Sequence, residues 1–169
     1  MNPQDFIGLI GPAAQASAKK TCVPASFTVA EAALESGWGT SRLAREGRNL
    51  FGVKADPSWH GEVLALNTRE FLHGTWVMVP ARWRKYADWQ GCMDDHAAFL
   101  HQNRRYALCF ECTTGEAFAR AVSRAGYATD PDYAAKLIAI IGQHQLGSLD
   151  GGAVLPNVKS ILEIPRPST

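Results

Sequence analysis

Between residues 62 and 84 the hydrophobic period changes from helical to two, and this change constrains the fold more than any other feature of the chain. Residues 62–71 and 75–84 alternate, with Val63, Leu64, Leu66, Phe71, Trp76, Val77 and Val79 arranged around His73-Gly74. A period of two sends successive side chains to opposite faces, and a short glycine-containing break between two such runs predicts a β-hairpin. Helical spacing holds on both sides. Upstream, Phe6, Ile7, Ile10, Ala14 and Ala18 predict a helix over 3–20, with Pro12 as a kink or break. A second helix starts at Pro24, runs through Phe27, Ala30 and Leu34 and ends at Gly37, and 40–46 form a short third. Downstream, Met93, Ala97 and Leu100 predict a helix over 89–101. Thr113-Thr114-Gly115-Glu116 has capping-box spacing before Phe118, Ala119 and Val122. Asp130-Pro131 is a cap and first turn for a helix through Tyr133, Leu137, Ile140 and Ile141. The expected fold is α+β: a mostly helical body with one inserted hairpin lobe and a cleft between them. A length of 169 residues supports one core. It is expected over 1–147, with 148–169 as a Gly- and Pro-containing tail.

Ala30 to Gly39, Ala-Glu-Ala-Ala-Leu-Glu-Ser-Gly-Trp-Gly, places Glu35 in the last turn of the second helix. The negative end of a helix dipole disfavours a further negative charge, so a carboxyl held there tends to keep its proton to higher pH. A carboxylic acid protonated near neutrality is what glycoside cleavage needs to protonate a leaving-group oxygen. Glycines 37 and 39 open space beside the acid, and Trp38 offers an apolar plate for a sugar ring. Glu31, one turn earlier, lacks that opening and is read as supporting.

Other features exclude classes. A net charge of +1 is not that of a general nucleic-acid binder. No apolar run reaches the roughly 20 residues of a membrane span. The N-terminus lacks a basic region and cleavage site of a secretory signal. The five histidines show no metal-ligand spacing, so no metal or cofactor is expected. Cys22, Cys92, Cys109 and Cys112 allow disulfides or free thiols, with disulfides favoured in an oxidising periplasm.

The Leu-Glu-Ser-Gly-Trp-Gly run is followed by Asn49-Leu50-Phe51-Gly52-Val53-Lys54, Thr68-Arg69-Glu70-Phe71, Trp83-Arg84-Lys85-Tyr86 and Gly126-Tyr127-Ala128-Thr129-Asp130-Pro131. In this order the chain, over roughly residues 4–146, resembles the glycoside hydrolase family 73 glucosaminidases of bacterial cell-wall metabolism. The resemblance implies a lysozyme-like layout, with Glu70 on the hairpin across the groove from Glu35. It also implies hydrolysis of the β-1,4 bond after N-acetylglucosamine in peptidoglycan. Glu35, Glu70 and Tyr127 are the expected catalytic residues, and Trp38, Asn49, Lys54, Trp83 and Tyr133 the expected substrate contacts. Tyr133 also fits a core position, and Asn49 and Lys54 fit either a sugar contact or a tie within the cleft wall. The enzyme alternatives are a muramidase or a lytic transglycosylase, and outside enzymes a silent wall-binding module. The expected setting is a monomer carried by a type VI secretion system into the periplasm of a target cell, with an immunity protein that occludes the cleft. The alternative carrier is phage release through a pore.

Overall fold

A computed structural model describes residues 1–151, apart from the side chains of Arg69, Glu70 and Leu72. In it α1 (Pro3–Thr21), α2 (Ala25–Ser36) and α3 (Arg42–Gly47) precede a two-stranded antiparallel hairpin, β1 (Val63–Leu72) and β2 (Thr75–Arg84). After the hairpin come α4 (Trp89–Gln102), a 3₁₀ segment (Arg104–Glu111), α5 (Gly115–Arg124), α6 (Tyr133–Gln143) and a last 3₁₀ turn (Leu146–Asp150).

The expected α+β layout holds. α2 is the axis of the body: from Ala25 to Ala33 every residue is buried, whichever way it points. A helix buried on every side lies inside the body, and its alanines at 30, 32 and 33 let neighbouring helices approach closely. The tightest approach is at Gly115, the first residue of α5. A Cβ there would stand 2.0 Å from the Ser26 hydroxyl oxygen and 2.7 Å from the Phe27 nitrogen. That closeness brings Phe118 onto Phe27, with ring centroids 4.7 Å apart.

Three expectations are corrected. Pro12 does not end α1, which runs on to Thr21; both Pro12 and Gly8, whose carbonyl it leaves unserved, lie on the exposed side of the helix. Thr114, not Thr113, caps α5, accepting from the Ala117 amide at 3.3 Å. α6 begins two residues later than expected, preceded by a turn in which Asp130 accepts from the Asp132 amide at 2.9 Å and pairs with Lys136. Just past the expected boundary at 147, Asp150 is bonded to the helical body. Asp150 accepts from the Ser26 amide (2.8 Å), the Ser26 hydroxyl (2.5 Å) and the Gly115 amide (3.3 Å). It thus sits at the N-termini of both α2 and α5, and α2 has no cap from its own chain segment. Residues 148–150 therefore belong to the body, while 152–169 of the expected tail lie outside the described residues.

The hairpin turns at His73 (φ 49°) and Gly74 (φ 82°), the paired positive angles of a type I′ turn. The four cysteines are free thiols. Cys92 is buried against α3's exit, with its sulfur facing the Leu50 amide at 3.4 Å, and burial pushes its thiol up to about 12. That position takes it out of disulfide chemistry.

Candidate active site

The end of α2 is tied off so that Glu35 faces a cavity. The Trp38 amide bonds back to the Ala33 carbonyl at 2.9 Å, and the Ser36 hydroxyl receives the Gly39 amide at 2.8 Å. Gly37, Trp38 and Gly39 all have positive φ (58°, 58° and 70°), a left-handed run in which only Trp38 carries a side chain. At Gly39 a Cβ would come within 2.9 Å of the Phe6 ring, so the reversal is pressed onto α1. Glu35 is left exposed on a cavity of about 520 Å³ between the helical body and the segment leading to the hairpin. Partial burial raises its carboxyl above the ordinary range, the Glu31 charge raises it further, and His96 opposes them.

Glu31 forms the floor. It is 1% exposed, and its Oε1 accepts from the Tyr127 hydroxyl at 2.5 Å and the Tyr133 hydroxyl at 2.9 Å. His96 Nε2 lies 2.8 Å from the Tyr127 oxygen and 3.3 Å from Glu31 Oε2, an oxygen with no hydrogen bond of its own. Phe51 stacks on the His96 ring at 4.1 Å and an interplanar angle of 15°. Burial alone would raise the Glu31 carboxyl. The electrostatic pull of His96 and the hydrogen bonds from Tyr127 and Tyr133 outweigh it and hold Glu31 below the carboxylate range. Both tyrosines are pushed up, first by burial and then by the Glu31 charge, so they remain phenols.

The hairpin base closes one side. Asn49, 1% exposed, donates to the Val53 (2.8 Å) and Arg84 (2.9 Å) carbonyls and accepts from the Val53 amide (3.0 Å). Arg84 grips both oxygens of Asp95 on α4 at 2.7 and 2.9 Å and reaches Asp56 at 2.5 Å. The Tyr86 hydroxyl adds a bond to Asp95 at 2.7 Å. Asp56 is held down to about 2, first by the Ser58 hydroxyl and then by Arg84.

Of the expected residues, Glu35, Tyr127 and Tyr133 meet on this cavity. Trp38 does not: its left-handed backbone turns the ring onto Phe6 (5.8 Å, edge-on) and His144 (4.7 Å), away from Glu35's face. Of the two roles open for Asn49, its bonds, each to backbone, are those of a tie within the cleft wall. Lys54 bridges to Trp83, its ammonium 5.6 Å from the ring, at the hairpin base and outside the lining. Glu70 stands on β1 opposite Val77, near the hairpin tip, and its side chain lies outside the described residues. His96, Arg84 and Asp95 were missed. His96 fell on the apolar face of α4 with Cys92, Met93 and Leu100, a pattern that reads as core. The one available signal was Glu31, a carboxylate at a buried position that requires partners.

Residues 11–146 match the glucosaminidase family, described as mannosyl-glycoprotein endo-beta-N-acetylglucosaminidase. The peptidoglycan hydrolase FlgJ of Salmonella typhimurium is 40% identical over 144 residues, covering 83% of this chain and 46% of that protein. The exo-glucosaminidase LytG of Bacillus subtilis is 37% identical over 163 residues, covering 94% and 56%. This chain thus spans about half the length of these curated relatives. A C-terminally truncated glycoside hydrolase domain of the Salmonella FlgJ superposes with a TM-score of 0.77 at 38% identity, covering 85% of this chain and 98% of that one.

Proposed function

This chain belongs to the glucosaminidase family, glycoside hydrolase family 73, and from that premise we propose that it hydrolyses the β-1,4 bond after N-acetylglucosamine in peptidoglycan strands. The observation that carries the chemistry is Glu35: exposed to an open cavity, at a helix C-terminus, and raised by partial burial and by Glu31. Such a carboxyl keeps its proton to higher pH than an ordinary carboxylate and can donate it to the leaving oxygen. Glu70, on the hairpin, is the second carboxylate in this scheme, activating water or stabilising the oxocarbenium-like transition state. Tyr127 lines the cavity beside the acid. Lys54 and Trp83 extend the contact surface along the hairpin base, while Tyr133 acts through Glu31.

Mass spectrometry of digested peptidoglycan, with and without borohydride reduction, tests the bond assignment. New reducing ends on N-acetylglucosamine are expected. Reducing ends on muramic acid would make the enzyme a muramidase, and anhydro-muramic ends a lytic transglycosylase.

The finer setting is delivery by a secretion system to the periplasm of a target cell, with an immunity protein seated in the groove. The groove's openness beside Glu35 suits a protein loop that excludes glycan. Co-expression with the products of adjacent genes tests it: binding with loss of activity is expected, and no binding by either neighbour would favour a phage lysin.

A further inference from the structure

The floor of the cavity holds more chemistry than proton donation by Glu35 requires. A carboxylate at 1% exposure is costly unless its surroundings are built to hold its charge. Here they are: α2 supplies Glu31, α4 supplies His96, the α5–α6 connection supplies Tyr127 and α6 supplies Tyr133. Proton accounting fixes the polarity. Tyr127 has one hydroxyl proton, and it goes to Glu31 Oε1 at 2.5 Å, so the His96 nitrogen 2.8 Å away must be the donor between those two. The Tyr127 oxygen keeps one acceptor position and no proton to give.

We propose that Glu31 is a positioning residue of the reaction, fixing Tyr127 as a hydrogen-bond acceptor toward substrate and setting, together with His96, the electrostatic field in which Glu35 works. This rests on the assignment of Glu35 as the acid. Residues four apart on a helix are neighbours, so the Glu31 charge lies directly beneath Glu35. Other charged and titratable groups around the floor are accounted for. Asp95 is paired with Arg84, which also holds Asp56, and accepts from Tyr86, and Tyr106 from the 3₁₀ segment is a phenol raised by burial. Glu31 and His96 are therefore the pair that acts on Glu35, with opposite signs: the Glu31 charge holds the Glu35 proton on and His96 opposes it.

Opposite signs give a test that a structural role would not pass. The variants are Glu31→Gln and His96→Gln, each close in shape to the original. The readouts are the alkaline limb of kcat/KM on a soluble peptidoglycan glycan and the ¹³C-carboxyl titration of Glu35 by NMR. Glu31→Gln should move both toward acid by about one pH unit, equivalent to about a tenfold rate loss on the alkaline flank. His96→Gln should move both toward alkali. An unmoved or alkaline-shifted Glu35 titration in Glu31→Gln overturns the proposal, as does an unmoved or acid-shifted one in His96→Gln, which decides alone if Glu31→Gln fails to fold. The NMR titration keeps this separate from the acid assignment. If Glu35 titrates as expected while the rate profile ignores it, the assignment of Glu35 as acid has failed, not the pairing beneath it.

Discussion

Replacing Asp150 by alanine removes one carboxylate from the start of two helices at once. Asp150 takes the Ser26 amide and hydroxyl at α2 and the Gly115 amide at α5. Loss of a capping side chain typically costs ~1 kcal/mol per helix, and an anion at a helix N-terminus contributes a further ~0.3–1 kcal/mol. The Gly115 bond is long at 3.3 Å, so the second cap counts for less than the first. Together they give a loss of about 2–3 kcal/mol, and for a domain of this size a drop in Tm of about 5–10 °C. Asp150→Asn keeps acceptor oxygen but not charge and should lose about half as much. Urea unfolding followed by circular dichroism is the assay: the midpoint should fall with the slope unchanged. A chain ended after Gly147 should resemble Asp150→Ala, and one ended after Gly151 should retain the capping bonds. If Asp150→Ala melts within about 1 °C of wild type, the carboxylate does not join the two helices energetically, however close the atoms stand.

Three further outcomes follow from the geometry. Gly115→Ala would drive a methyl into Ser26 and the Phe27 backbone, so thermal melting should show a destabilisation of about 1–3 kcal/mol. Trp38→Ala should lower Tm through lost packing on Phe6 and His144 while KM for glycan stays within about twofold, and a large rise in KM would return Trp38 to the substrate surface. Glu35→Gln should lower wall digestion by about 10²–10⁴-fold with unchanged circular dichroism. It should also raise stability at neutral pH. The folded-state pKa of Glu35 is raised, so its contribution is fully present below the ordinary carboxylate pKa and is lost as pH rises through the folded value. Parallel melting of variant and wild type across pH checks this, and curves that do not diverge toward neutral pH would contradict it.

The elements were legible because each carries a local rule. Alternation with His73-Gly74 specified the hairpin, and Gly37 specified where α2 stops. Glu35 was legible for the same reason, because a helix end is a local feature. What sequence concealed is what depends on two distant segments meeting. Asp150 read as part of a tail because nothing near it in sequence needs a cap; the groups it serves begin 124 residues earlier. Asn49 read as a possible sugar contact because its carbonyl partners at Val53 and Arg84 come from a loop and a strand. Trp38 reads as a stacking plate by its residue type, whereas its direction is set by three consecutive left-handed residues.

The hairpin is held firmly at one end only. At its base the Ala55 amide bonds to the Arg82 carbonyl, Arg84 to Val53, Lys85 to Glu62 and Tyr86 to Gly47. At its tip Phe71 and Trp76 are each 58% exposed, and Met78 is 62% exposed. A two-stranded ribbon without a covering layer is marginally stable in water, so its amides should exchange with deuterium in a gradient, slow near Arg84 and fast near Thr75. Glu70 stands on β1 near the tip, opposite Val77, while Glu35 is fixed to α2, whose residues from Ala25 to Ala33 are all buried. The distance from the ribbon's tip to Glu35 is then a fluctuating quantity. A bound glycan would select one value from that range, and substrate length would register as protection gained at the ribbon's tip.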